Sequence, residues 1–216
     1  MSFSQLKVLS SQFILSIALG FSELWGSDIV HCVFCHGYEH RDQLCGAIGI
    51  DNPMAFQSAM SGLTLASSMQ LFPNIESPDL VPVEMKDKLS LLQAGGCVIM
   101  PFKKIVKFSK HHSGSGVDIY LSDGSVHHVD WILYKPKTTL SSPELASQLG
   151  IELNPMGDIK VGPFQETNVS GVFAAGDCVN FLKQGPVAIS EGFTAGAGIH
   201  LQLTLQDMQI AKAAAK

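Results

Sequence analysis

The chain has 216 residues, 46% of them hydrophobic and only 15% charged, with a formal net charge of −5 at neutral pH. That composition can bury a sizeable core and excludes a disordered chain. Its 14 Lys and Arg residues form no dense basic run, which argues against nucleic acid or an anionic membrane surface as a partner.

In chain order, residues 6–19 are apolar and read as a strand or a helix, interrupted by Gly20 and Gly26. The most apolar part, FILSIALGF from Phe13 to Phe21, is far shorter than the roughly 20 residues of a bilayer span. Lys7 precedes it, and Glu23 and Trp25 follow where a leader would have small residues, so secretion is not expected. Five cysteines, an odd and sparse set, fit a reducing, cytoplasmic compartment.

The stretch HCVFCHGYEH (31–40) sets Cys32 and Cys35 two residues apart among histidines. Three chemistries suit it, beside an inert pair. A redox disulfide uses this spacing because two intervening residues let the sulfurs close a small ring. Zinc would take Cys32, Cys35 and two of His31, His36 and His40, though the usual second ligand pair at longer spacing is missing. Cys32–His36 also spells CxxCH, the c-type haem attachment motif.

Downstream, CGAIGI (45–50) reads as a short buried strand, and Pro53 opens a helix to about Ser67 with Asn52 as N-cap. MQLFP (69–73) is strand-like, 74–82 a proline-rich loop, and 83–93 a helix stopped by Gly95-Gly96. CVIMPF and KIVKF are strand-like. Residues 117–134, VDIYLSDGSVHHVDWILY, are two β-rich runs joined by Asp123-Gly124, a hairpin signal. Ser141–Leu149 is a short helix opened by Pro143, 158–162 and 171–177 are strands, and Ser190 to about Ala214 is a long helix. Strands alternating with helices, plus a hairpin insert, give an α/β fold with mixed or parallel sheets.

The most specific stretch is TNVSGVFAAGDCVN (167–180), in which small residues allow close backbone approach and Asp177 sits where a strand would end. Together with CVFC, FSELWGSDIVHCVFCHGYE (21–39) and VHHVDWILY, it resembles the flavin-dependent thioredoxin reductases, class-II pyridine nucleotide-disulfide oxidoreductases. The likeness is strongest to the dithiol oxidases of fungal secondary metabolism, the gliotoxin-oxidase type. The resemblance implies a two-dinucleotide-binding-domain flavoprotein fold. In it, residues 1–30 are a remnant of an FAD domain or linker, 31–136 a degenerate NAD(P)-type domain carrying the cysteines, and 137–216 the C-terminal part of the FAD-binding domain. It implies FAD as cofactor. Asp177 would meet the ribityl chain with Gly176 giving backbone access, and KQGPVA (183–188), with Gln184 and Val187, would bring a helix start to the isoalloxazine. Cys32 would attack the substrate sulfur and Cys35 would face the flavin. His36 stands where the family commonly has an acid, and would move protons, with His31, His40 and Glu39 as possible helpers. The implied substrate is a small-molecule dithiol or disulfide, or a thioredoxin-like protein, and homodimers are usual in the family.

Two departures shape the expectation. GAIGIDNPMA offers only Gly46 and Gly49 for a dinucleotide fingerprint, and LFPNIESPD (71–79) has no basic residue for a 2′-phosphate, so NADPH binding is not expected. No glycine-rich strand-turn-helix precedes residue 31, so the family's N-terminal FAD-binding half is read as missing. The alternative functions are therefore a non-catalytic remnant or partner subunit, and a zinc or haem module at the Cys–His cluster. Cys45, Cys97 and Cys178 read as buried small hydrophobes. His111-His112 and His127-His128 read as a solvated face without a metal, and GFTAGAGIH (192–200) as a helix packed tightly on a sheet.

Overall fold

The computed structural model describes residues 11–13, 18–50, 53–136 and 138–215. In chain order the elements are β1 (Ser11–Phe13), α1 (Phe21–Leu24), β2 (Ile29–Val30), α2 (Val33–His36), β3 (Leu44–Ile48), α3 (Pro53–Leu63), β4 (Ser68–Phe72), α4 (Val83–Ala94), β5 (Cys97–Ile99) and β6 (Ile105–Lys110). They continue as β7 (Val117–Leu121), β8 (Val126–Val129), β9 (Trp131–Tyr134), β10 (Thr138–Leu140), α5 (Pro143–Gln148) and α6 (Gly185–Ala214). The chain packs as two units, one of residues 14–137 and one joining β1 to the residues from Thr138 onward. The Asn52 cap expected for α3 lies outside the described residues.

In the first unit, five parallel strands lie in the order β2-β9-β3-β4-β5. Side chains alternate across a strand, so a sheet covered on both faces needs apolar residues at every position. Cys45 and Ala47 of β3, Met69 and Leu71 of β4, and Trp131 and Leu133 of β9 face Ala59 of α3 and Met85, Leu89 and Leu92 of α4 in one core. Ile48, Phe72 and Ile132 point the other way, into a core shared with Phe108, Ile119, Leu121 and Val129. These last four belong to a separate antiparallel sheet, β6-β7-β8. Helices therefore cover one face and the meander the other.

The expected hairpin at Asp123-Gly124 joins β7 to β8. The run that follows does not stay in it: β9 crosses into the parallel sheet beside β3. Asp130 makes the junction, donating its amide to the Leu44 carbonyl at 3.0 Å and accepting the Leu44 amide on its carboxylate at 2.7 Å. The meander is also fixed at Gly20, whose φ is +80° and where an added Cβ would fall 2.1 Å from the Phe108 carbonyl oxygen.

In the second unit, β1 pairs antiparallel with β10. Leu140, Ala146, Ile151, Ile159 and Cys178 form its small core. Residues 158–162 and 171–177 are not strands. Ile159 makes one bridge, to Leu153, and Phe173 one, to Glu166. An extended segment becomes a strand only when a neighbour completes a ladder; here the Val172 and Ala174 amides bond loop carbonyls of Val169 and Gln165 instead. The final helix starts at Gly185, five residues ahead of expectation, because Pro186 suits a first turn. Of the Gly-rich stretch only Gly198 packs tightly, and against a turn rather than a sheet: an added Cβ would lie 2.7 Å from the Phe164 carbonyl oxygen, whereas at Gly192 and Gly196 nothing lies within 4 Å. Among the described residues no helix is long and apolar enough to cross a membrane.

Candidate redox site

Cys32 follows β2 with only His31 between, and β2 runs parallel to β9. The cysteine pair therefore sits at the carboxyl ends of the parallel strands, with β9 between β2 and β3, at the edge where open α/β sheets take ligands. Cys32 and Cys35 are joined as a disulfide, with Cα atoms 5.3 Å apart. Cys32 is the N-cap of α2, and its Sγ accepts the Cys35 amide at 3.2 Å. Donation to sulfur at a helix start favours the thiolate once the pair is reduced. Cys35 and His36 are exposed and Cys32 is half-buried. Between them Phe34 is 91% exposed.

Because both sulfurs are bonded to each other, neither is a thiolate ligand for zinc nor a thioether to haem in this state. The three neighbouring histidines have separate environments. His31 stacks on Trp25, with ring centroids 5.7 Å apart. Burial first, then the charges of Lys135 and His36, hold its imidazole below the ordinary value, so it is neutral at pH 7 and able to accept a proton. His40 stacks on Trp131, the first residue of β9, and bonds Gln43 at 3.3 Å. That places it toward the amino ends of the strands, away from the sulfurs, with Gln43 rather than Glu39 as its ring partner. Sequence spacing put His31 and His40 on equal terms; the strand direction separates them.

The two glycines left of a degenerate dinucleotide fingerprint are also divided. Gly46 lies inside β3, where an added Cβ would meet Val129 at 3.1 Å, so it lets the meander approach the parallel sheet. Only Gly49 remains at the turn after β3. Past β4, Asn74 accepts the Ile105 amide at 2.8 Å and Glu76 accepts the Ser122 hydroxyl at 3.2 Å, so the segment is engaged in holding the meander.

In the second unit, Gly176, Asp177, Gln184 and Val187 fall on one continuous piece of chain, a 3-10 turn at Gly176–Cys178 and the start of α6. Gly176 is buried at φ +82°, and an added Cβ would touch the Ala188 Cβ at 3.4 Å. Asp177 is exposed. Two side chains that sequence reading did not single out fix this turn. Glu191, reaching back from α6, accepts the Gly176 amide at 2.7 Å and the Asn180 side-chain amide at 2.9 Å. Lys183 donates from Nζ to the Asp177 carbonyl at 2.6 Å, the Asn180 carbonyl at 3.1 Å and the Asp158 carboxylate at 3.2 Å. A charged pair seven and fifteen residues from the motif carries no local pattern; only Asp158 inside an otherwise apolar core marks it. Gln184, the N-cap of α6, makes no side-chain cap bond. The exposed start of a 30-residue helix thus keeps amide donors and partial positive charge for an acceptor-rich group. These residues fit a flavin.

Residues 90–192 match the family model for pyridine nucleotide-disulphide oxidoreductases. Thioredoxin reductase sirT of Leptosphaeria maculans is 34% identical over 200 residues, which cover 88% of this chain and 59% of that protein. The chain belongs to the thioredoxin reductase-like pyridine nucleotide-disulphide oxidoreductases. Thioredoxin reductase tcpT of Claviceps purpurea is 33% identical, covering 85% of this chain and 57% of its own length. The crystal structure of HlmI superposes with a TM-score of 0.80 over 95% of this chain and 62% of that one, at 24% identity, a likeness of fold. The chain thus spans about three-fifths of the length of the relatives it matches.

Proposed function

We propose that this chain is an FAD-dependent thiol/disulfide oxidoreductase that oxidises a small-molecule dithiol in secondary metabolism, without NADPH. The observation that carries the reading is the formed Cys32–Cys35 disulfide at the open end of the parallel sheet, with Cys35 exposed. The two fungal relatives named above support the family context. The division of Gly46 from Gly49, and the absence of any Lys or Arg from residues 71–79 for a 2′-phosphate, support the loss of NADPH.

The chemistry is thiol–disulfide exchange. A substrate thiolate attacks Sγ of Cys32, the Cys32–Cys35 bond breaks, and Cys35 leaves as a thiolate that takes a proton. The second substrate thiolate then attacks its own partner sulfur. The product disulfide closes and Cys32 leaves as a thiolate, stabilised by the Cys35 amide. Substrate loses two electrons and two protons; the cysteine pair gains them. His31, neutral at pH 7 and adjacent in sequence to Cys32, accepts a proton from the incoming thiol, and exposed His36 exchanges it with solvent. FAD, when bound, supplies the two-electron acceptor that reoxidises the pair. Gly176, Asp177, Gln184 and Val187 would hold it, with the turn kept open by Lys183 and Glu191.

The test combines an absorbance spectrum of the purified chain with added FAD and a thiol count after treatment with a small dithiol. The expected result is a bound-flavin spectrum, and two new protein thiols that C32S and C35S abolish. A disulfide that small dithiols leave intact, or a spectrum identical to free FAD, overturns the reading. In the second case a non-catalytic partner subunit becomes the better description.

A further inference from the structure

Strands β6, β7 and β8 bring together residues that are distant in sequence. His111 follows β6, Asp118 lies on β7 and His128 lies on β8. One carboxylate oxygen, Oδ1 of Asp118, meets Nδ1 of His111 at 2.7 Å and Nδ1 of His128 at 3.2 Å. The His111 and His128 rings are 4.1 Å apart, and the exposed His112 ring lies 4.0 Å from His111 on another side. One donor atom from each of His111, Asp118 and His128 falls within 4.8 Å of the others. Register does this. Asp118 pairs directly with His128 across the β7–β8 ladder, and the His111 amide bonds the Gly116 carbonyl to close the turn before β7. An added Cβ at Gly116 would lie 2.6 Å from the His128 ring, so the turn admits that ring only beside glycine.

We propose that His111, Asp118 and His128 form a binding site for a divalent late first-row metal ion, for which Zn2+ is the probe. Two imidazoles and a carboxylate are the donor set such ions favour over magnesium or calcium. Donor atoms at about 2.0–2.1 Å from a tetrahedral ion stand roughly 3.3 Å from one another. The oxygen–nitrogen separations of 2.7 and 3.2 Å are already close to that value, so small side-chain rotations admit the ion. The side chains of His111 and Asp118 are 23% and 16% exposed and that of His128 is 40% exposed, which leaves an entry path and a fourth position for water. The ion clips the turn after β6 to β7 and β8. Sequence reading assigned these histidines to a solvated face because Asp118 stands seven and ten residues away from them, and only the antiparallel register brings it between them.

The test is calorimetric titration of the full chain with ZnCl2 at pH 7.5, with the Cys32–Cys35 disulfide kept oxidised so that its sulfurs do not compete. The wild type is expected to bind one ion. H111N and H128N are each expected to weaken it at least tenfold, whereas H200N, on α6, is expected to leave it unchanged. Should H111N unfold, imidazole NMR of the wild type replaces it: zinc is expected to shift the His111 and His128 ring signals and to leave that of His40 in place. No zinc uptake by the wild type, unchanged affinity in H128N, or ring shifts confined to other histidines overturns the proposal.

Discussion

Replacing Lys183 by Met keeps most of the side-chain length and removes the charge that holds the Gly176 turn. In the structure Nζ meets the Asp158 carboxylate at 3.2 Å and the carbonyls of Asp177 and Asn180 at 2.6 and 3.1 Å. The two side chains are only 12% and 10% exposed. Removing one partner of a buried pair leaves the other charge uncompensated, which costs about 3–5 kcal/mol. At about 1.4 kcal/mol per tenfold change, even 3 kcal/mol corresponds to roughly a hundredfold rise in local opening. Amide hydrogen exchange of the full chain reads this directly. In K183M, Ile159, whose amide bonds the Cys178 carbonyl at 2.7 Å, and Val179, whose amide bonds the Gly176 carbonyl at 3.0 Å, are expected to exchange about 100-fold faster. Amides of β3 in the other unit should not change. The double variant K183M/D158N removes the stranded charge and is expected to recover at least tenfold of the lost protection. Exchange in K183M within threefold of the wild type, or a double variant no better than the single, would refute the assignment of Lys183 as the clamp.

Three further outcomes follow from the packing and the thiols. G20A is expected to destabilise the unit of residues 14–137 by about 3 kcal/mol or more in urea denaturation, because a Cβ 2.1 Å from the Phe108 carbonyl oxygen forces backbone to move at a left-handed φ; a loss under 1 kcal/mol contradicts the contact. After reduction, iodoacetamide at pH 8 is expected to label Cys35 and Cys32 before Cys45, Cys97 and Cys178, which are buried, and mass spectrometry of partly labelled protein checks the order. Burial pushes the Cys97 thiol up to about 11, and that of Cys45 higher still. The unfolded chain then loses thiol protons first as the pH rises above about 9, so stability is fully present below that and declines toward pH 11. For Cys97 alone the loss is on the order of 3 kcal/mol, and a C97A variant with a flatter alkaline profile in urea melts is the expected confirmation.

Local pattern carried much of the architecture. The CxxC spacing, the Asp123-Gly124 turn, the helices opened by Pro53 and Pro143, and the apolar runs of β3 and β4 are all short-range features, and the structure has each of them. Features that depend on a neighbour differ. Residues 171–177 have a strand's composition, but strandhood belongs to a pair of segments, and their amides find loop carbonyls. Gly46 looked like half of a nucleotide fingerprint until its face of β3 met Val129.

The linear order of residues determined the family, the fold class and the identity of the redox pair, because these reside in motifs a few residues long. Only the tertiary structure decided which histidine stands near the sulfurs, which charges hold the Gly176 turn, and that Asp118 gathers two histidines across three strands. Hydrogen bonds and ring stacking act over a few ångströms regardless of separation along the chain, so strand direction and register, rather than spacing, choose those partners.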